Sequence, residues 1–157
     1  MSNLEKDLNP DTFIGISLPL EYGTQGFFNQ TKTTLQQAQH NIRNLLLTIK
    51  GERLGNPEFG SDLMKVVFEQ QDELLESKIE EAIRASMDEW LSYITLEEIN
   101  VNPGTNENEV VVDLKFTINM NQNVQTLSLE LGPTSPFNNY EETETSETFD
   151  ADTGQYS

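Results

Sequence analysis

Val110-Val111-Val112-Asp113-Leu114-Lys115-Phe116-Thr117-Ile118 is the stretch that decides the fold. Val110, Val112, Leu114, Phe116 and Ile118 occupy every second position, with Val111, Asp113, Lys115 and Thr117 between them. Successive side chains of an extended chain point to opposite faces, so this is a strand with one face on a core. Met120-Asn121-Gln122-Asn123 then supplies a turn, and Val124 to Leu131 returns with Leu127, Leu129 and Leu131 inward and Ser128 and Glu130 outward. The two strands close a C-terminal β-hairpin over 109–131. Just upstream, Ile94 to Val101 carries a weaker strand pattern.

Before the strands the apolar period changes. Thr34-Leu35-Gln36-Gln37 fits a capping box, and Leu35, Ala38, Ile42, Leu45, Leu46 and Ile49 recur at helical spacing, which predicts a helix over 33–50 closed by Gly51. Ser61 or Asp62 can cap a short second helix carrying Leu63, Met64, Val67 and Phe68. Asp72 can cap a third, reaching about Leu91, with Leu75, Ile79, Ala82, Ile83, Ser86 and Trp90 along one face. The fold class expected is therefore α+β: three helices packed on a small, mainly antiparallel sheet.

Outside that body the composition shifts. Residues 1–12 are polar and end in Asn9-Pro10-Asp11, a turn signal, and read as an extended N-terminal arm that docks on something else. Residues 13–28 mix apolar side chains with Gly and Pro, as a segment packed in extended form would. Residues 132–157 hold six Asp or Glu and no Lys or Arg, an acidic C-terminal tail that gains little by folding alone. The chain is thus expected to divide into an arm (1–12), one folded domain (13–131) and a tail (132–157), arm and tail ordering only against neighbours.

Charge and composition exclude several functions. With 9 Lys and Arg against 27 Asp and Glu the net charge is −18, which repels nucleic acid and anionic membrane surfaces. There is no cysteine and only one histidine, His40, so disulfides, thiol nucleophiles, cysteine metal sites and multi-histidine sites are ruled out. No cofactor is expected. The N-terminus has no basic stretch followed by an apolar run, and no segment approaches the ~20 apolar residues of a membrane span, so the chain reads as made in the cytoplasm and soluble.

The most informative polar stretch is Gly51-Glu52-Arg53-Leu54-Gly55-Asn56-Pro57-Glu58-Phe59-Gly60, too rich in Gly and Pro to be anything but an ordered loop. It is either a contact surface for another subunit or a salt-bridged connector, with Arg53 expected to pair with a carboxylate and backbone carbonyls inside the loop. An enzymatic reading would take Glu52, Glu58 or Asp62 as a hydrolase acid, but close carboxylates are expected by chance in so acidic a chain. No nucleophile triad, phosphate-binding glycine loop or dinucleotide fingerprint is present.

The run Asn41-Ile42-Arg43-Asn44-Leu45-Leu46-Leu47-Thr48-Ile49-Lys50-Gly51-Glu52-Arg53, followed by Asn56-Pro57-Glu58-Phe59-Gly60-Ser61-Asp62-Leu63 and Val67-Phe68-Glu69, resembles the central signature of the small lysozyme-like baseplate wedge family of contractile phage tails. Gly15-Ile16-Ser17-Leu18-Pro19-Leu20, Gly26-Phe27-Phe28 and Glu81-Ala82-Ile83-Arg84 extend the similarity over about 13–131. The resemblance implies that 13–131 is a wedge domain, a structural and non-enzymatic virion component. It would link the inner baseplate to the first sheath ring and start sheath assembly by strand addition. Its partners would be other wedge proteins and the tail sheath protein, with tube or hub proteins as further candidates, and neither nucleic acid nor membrane. The alternative is a baseplate-associated peptidoglycan hydrolase. Many members carry Glu-Pro-Arg after the third helix, where this chain has Glu89-Trp90-Leu91.

The candidate partner interface is accordingly Glu52, Arg53, Pro57, Glu58 and Phe59 in the loop, Glu89 and Trp90 at the end of the third helix, and Val111, Asp113, Lys115 and Thr117 on the long strand. The strand residues enter because the hairpin is expected to offer the edge of Val110–Asn119 to incoming strands. That expectation fails if Ile94–Val101 or the N-terminal segment covers this edge within the same chain.

Overall fold

The computed structural model describes residues 7, 9, 11–18, 20, 22–23, 28–68, 74–104, 109–119, 121–132, 149–150 and 155–156. Two minimal strands, β1 (Gly15–Ile16) and β2 (Gln30–Thr31), pair antiparallel and precede the helices α1 (Thr34–Leu47), α2 (Leu63–Val67) and α3 (Leu75–Trp90). The main sheet follows as β3 (Ile94–Pro103), β4 (Val110–Ile118) and β5 (Asn121–Leu131). A last antiparallel pair joins β6 (Phe149–Asp150) to β7 (Gln155–Tyr156), and the rest of the tail after Gly132 lies outside the described residues, as does the expectation for its order. The class is α+β with antiparallel sheets, as the sequence predicts.

β4 shows why. Its burial alternates without a fault, Val110, Val112, Leu114, Phe116 and Ile118 inward. Burying each such side chain contributes roughly 1.5–3 kcal/mol, so this strand anchors the core. Facing it are Ala38, Ile42, Leu45 and Leu46 of α1, Leu63 of α2, and Ile79, Ile83 and Met87 of α3, all in one cluster. Met87 takes a core place that helical periodicity had not singled out, while Trp90 and Leu75 pack only partly buried against the cluster.

The helix ends differ from expectation in ways that bonds explain. The capping box sits one residue earlier: Thr33 Oγ1 accepts the Gln36 N–H (3.2 Å) and Gln36 Oε1 accepts the Lys32 N–H (3.1 Å). Thr34 instead donates its N–H and its hydroxyl to Asp7 Oδ1, at 3.0 and 2.7 Å. A carboxylate thereby meets the positive end of α1, and Asp7 of the N-terminal arm is bonded to its own chain. α1 stops at Leu47, not at Lys50, because Thr48 turns extended (ψ 125°) and its carbonyl accepts the Ser61 N–H at 2.8 Å. Ile49 then forms a parallel bridge with Ser61, and Gly51 occupies a turn instead of closing the helix. Ser61 rather than Asp62 caps α2, its Oγ accepting from Leu63 N (3.3 Å). α3 begins after Leu74 with no side-chain cap, and Asp72 lies outside the described residues.

The sheet order is β3-β4-β5, all antiparallel, so β4 is central. Ile94 pairs with Ile118 and Pro103 with Val110, covering the edge that had been expected to stay open. The proposed acceptor positions Val111, Asp113, Lys115 and Thr117 therefore lie on a strand paired on both sides, and their backbone is not available to another chain. β3 carries a register shift between Leu96 and Glu98, and β4 and β5 shift between Phe116 and Ile118 beside the turn. β5 itself starts at Asn121, inside the predicted turn.

Candidate partner-binding surfaces

The loop between α1 and α2 is exposed from Gly51 to Glu58, and backbone bonds fix its shape. Gly51 N donates to Pro57 O (2.8 Å), Glu52 N to Ile49 O (3.0 Å), Asn56 N to Arg53 O (3.2 Å) and Phe59 N to Asn56 O (3.2 Å). Glu52 turns its carboxylate back on the Ile49 N–H, Oε2 at 3.2 Å. Gly60 closes the loop at φ 127°, and a Cβ there would sit 2.5 Å from the Thr48 carbonyl oxygen, so only glycine fits.

Among the described residues Arg53 pairs with no carboxylate, contrary to expectation. Its guanidinium lies over the Phe59 ring, Cζ 4.0 Å from the centroid, and Nη2 donates to Asn44 Oδ1 at 3.3 Å. Phe59 in turn meets Trp90 edge-on, centroids 5.3 Å apart and planes at 66°. Glu89, one residue earlier on α3, reaches Lys50 at 3.9 Å. Five of the seven predicted loop and helix positions thus form one cluster or brace it, while Pro57 contributes its carbonyl to the loop and Glu58 stands in solvent. Asn44 and Lys50 complete the cluster. Neither was singled out from sequence, because each meets its partner only through the folded-back loop.

The four predicted strand residues form a separate group on the outer face of the sheet. Lys115 Nζ bonds Glu98 Oε2 at 2.6 Å, and Asp113 accepts from Ser128 Oγ (2.6 Å) and Asn102 Nδ2 (3.1 Å). Thr117 Oγ1 donates to Glu97 Oε1 at 3.2 Å, and Val111 sits opposite Asn102 and Glu130. These side chains cross-link the three strands. The hydrogen bonds of Glu98 with Lys115 and then with Asn100, and the Lys115 charge, hold the Glu98 carboxyl below the ordinary value.

Among the described residues β3 and β5 are the edge strands of the sheet. β3 is blunted by its bulge, by the adjacent Glu97 and Glu98, and by Pro103. β5 has no proline, and from Gln125 to Leu131 its pairing with β4 runs without a shift. Sequence reasoning placed the open edge on the wrong strand of the hairpin, because the interrupted alternation in 94–103 hid how long β3 is.

An exposed, bond-locked loop and a proline-free edge strand on a small α+β body are features of an assembly subunit, a protein whose surface meets other chains. The family of baseplate wedge protein gp25 matches residues 32–123, more than half of the chain, and the chain belongs to that family. Baseplate wedge protein gp25 of Enterobacteria phage T4 is 26% identical over 98 residues, 62% of this chain and 74% of its own length. Two solved structures share the fold. A protein described as a tail lysozyme from Geobacter sulfurreducens has 20% identity and a TM-score of 0.60, over 67% of this chain and 97% of that one. A chain of the anti-feeding prophage baseplate has 16% identity and a TM-score of 0.52, over 74% and 82%. The place is a contractile-tail baseplate in the virion, as the sequence resemblance implied. Among the described residues no helix is long and apolar enough to cross a membrane.

Proposed function

We propose that this chain is a structural, non-enzymatic wedge subunit that links other wedge proteins of the inner baseplate to the first sheath ring, and that it starts sheath assembly by accepting strands on the outer edge of β5. The observation that carries this reading is the proline-free outer edge of β5 from Gln125 to Leu129, with which no other strand among the described residues pairs. Each main-chain bond to an added strand contributes about 0.5–1.5 kcal/mol, so a run of four to six sets the affinity while alternate side chains set the choice of strand. β4 remains the rigid centre on which β5 is held. The acceptor is therefore one strand over from the position that sequence alone suggests.

The alternative, a peptidoglycan hydrolase using Glu52 or Glu58 as acid, finds poor support in the geometry. A general acid keeps its proton when apolar surroundings desolvate it, and both residues stand exposed on the loop, Glu52 committed to the Ile49 N–H. Proline at Gln125 and at Thr126 tests the strand reading. The two N–H groups point to opposite sides, so one substitution breaks the β4 ladder and the other removes only an outward donor. The variant that folds should enter baseplates and stall sheath growth; normal sheath on it would reject the reading. Turnover of purified peptidoglycan that is lost in Glu52→Gln or Glu58→Gln would favour the hydrolase instead.

A further inference from the structure

The β5 edge and the loop leave one apolar stretch of chain unused. Phe13, Ile16, Leu20, Tyr22 and Phe28 stand 45%, 45%, 59%, 91% and 47% exposed, all within one short stretch of chain. Single exposed apolar residues are ordinary, whereas a group of this size marks a contact surface. Charge adds a second observation: Glu21 is the only charged residue among 12–31, in a chain that carries 9 basic and 27 acidic residues. Depletion of charge with enrichment of aromatic side chains is the composition of an interface centre.

Hydrogen bonds hold described parts of the segment. Ile14 N donates to Thr31 O (2.8 Å) and Ser17 N to Asn29 O (2.9 Å), aligning the two stretches. His40 Nδ1 of α1 lies 3.2 Å from Leu18 N and 2.9 Å from Leu18 O, accepting from the one or donating to the other according to its tautomer, and the buried Thr31 hydroxyl donates to Gln37 Oε1 at 2.6 Å. A Cβ on Gly23 would lie 2.6 Å from the Phe28 carbonyl oxygen, so the backbone at 23 and 28 is close together.

We infer that the exposed apolar side chains of this segment are a permanent, salt-insensitive docking site for a different tail protein, neutral or basic overall, which lays an uncharged aliphatic or aromatic surface on them. A second copy of this chain would bring another charge of −18 against the first, so self-association is opposed. The same charge repels anionic lipid. That the occupant is a tail protein rests on the baseplate placement; the contact itself does not involve the β5 edge.

The test places the photocrosslinking residue benzoylphenylalanine at position 22 of the full chain and irradiates purified assembled particles. The expected product joins this chain to another tail protein, and persists when irradiation is done in ~1 M NaCl, where exposed charge pairs are screened. Crosslinks to a second copy or to lipid, or no crosslink at all, would overturn the inference. In parallel, Ile16→Lys and Tyr22→Lys should leave the melting temperature of the free protein nearly unchanged while incorporation into particles falls at least about tenfold; Tyr22→Lys, at the more exposed position, decides if Ile16→Lys does not fold. Normal incorporation of Tyr22→Lys would contradict the inference. Loss of this chain from baseplates is its signature, whereas complete baseplates lacking sheath implicate the β5 edge.

Discussion

Arg53 lies flat over the ring of Phe59, with Cζ 4.0 Å from the ring centroid, and no carboxylate among the described residues closes an ion pair with it. The loop is therefore organised by stacking and backbone bonds rather than by a buried charge pair. An exposed cation–π contact contributes about 0.5–1 kcal/mol, far less than the ~3–5 kcal/mol lost on breaking a buried pair. Arg53→Ala should lower stability in urea by about 1 kcal/mol or less. Phe59→Ala, which removes both the Arg53 and the Trp90 contact of a half-buried ring, should cost about 2–3 kcal/mol. Equal losses would mean that the guanidinium is held by something else.

The three loop glycines should respond to alanine in a graded order. Gly55 has open space and no positive φ, so Gly55→Ala should be neutral. Gly51 has φ 95° and open space, so alanine should cost about 1–2 kcal/mol of backbone strain. Gly60, with φ 127° and the Thr48 carbonyl in the way, should lose more than either and weaken the Ser61–Thr48 bond that ends α1. Chemical denaturation of the three variants checks the order.

How much of this could be read in advance varies with the element. β4 was legible because its alternation is perfect, and α1 because Ala38, Ile42, Leu45 and Leu46 keep helical spacing. The true end of α1 was hidden, since Ile49 continues the apolar period while bonds to Ser61 pull it into a bridge. Adjacent Glu97 and Glu98 break the alternation of β3 at its bulge, so its cover of β4 could not be settled from pattern. The ring cluster was legible only as a list: Phe59 and Trp90 were singled out, but nothing in their spacing says that they touch.

Asp7 and Thr33 cap the same helix from two directions, and this gives a stability prediction. Thr33→Ala should cost about 1 kcal/mol as a lost N-cap. Asp7→Ala should cost about 0.5–1 kcal/mol, and that loss should shrink in high salt because part of it is charge against the helix dipole. Thermal melts at low and high ionic strength separate the two. A salt-independent Asp7 effect would assign it to hydrogen bonding alone.

Glu98 makes the sheet's outer face sensitive to acid. Its folded-state pKa is lowered, first by the Lys115 hydrogen bond, then by Asn100 and the Lys115 charge. A depressed carboxylate contributes stability that is complete above the unfolded pKa and is lost as pH falls through the folded one. Wild type should therefore lose a small increment from about pH 5 downward that Lys115→Met largely lacks. Carbon-detected NMR titration of the Glu98 carboxyl gives the direct readout; an ordinary midpoint in the wild type would contradict the pairing.

The central claim is that the outer edge of β5 receives the first strand from the sheath. A density map of the assembled baseplate with its first sheath ring tests it most directly. We expect a strand from a sheath subunit hydrogen-bonded along Gln125–Leu129, extending the β3-β4-β5 sheet to a fourth strand. A first ring that contacts this chain elsewhere, with the β5 edge in solvent or covered by the chain's own residues, would contradict the account.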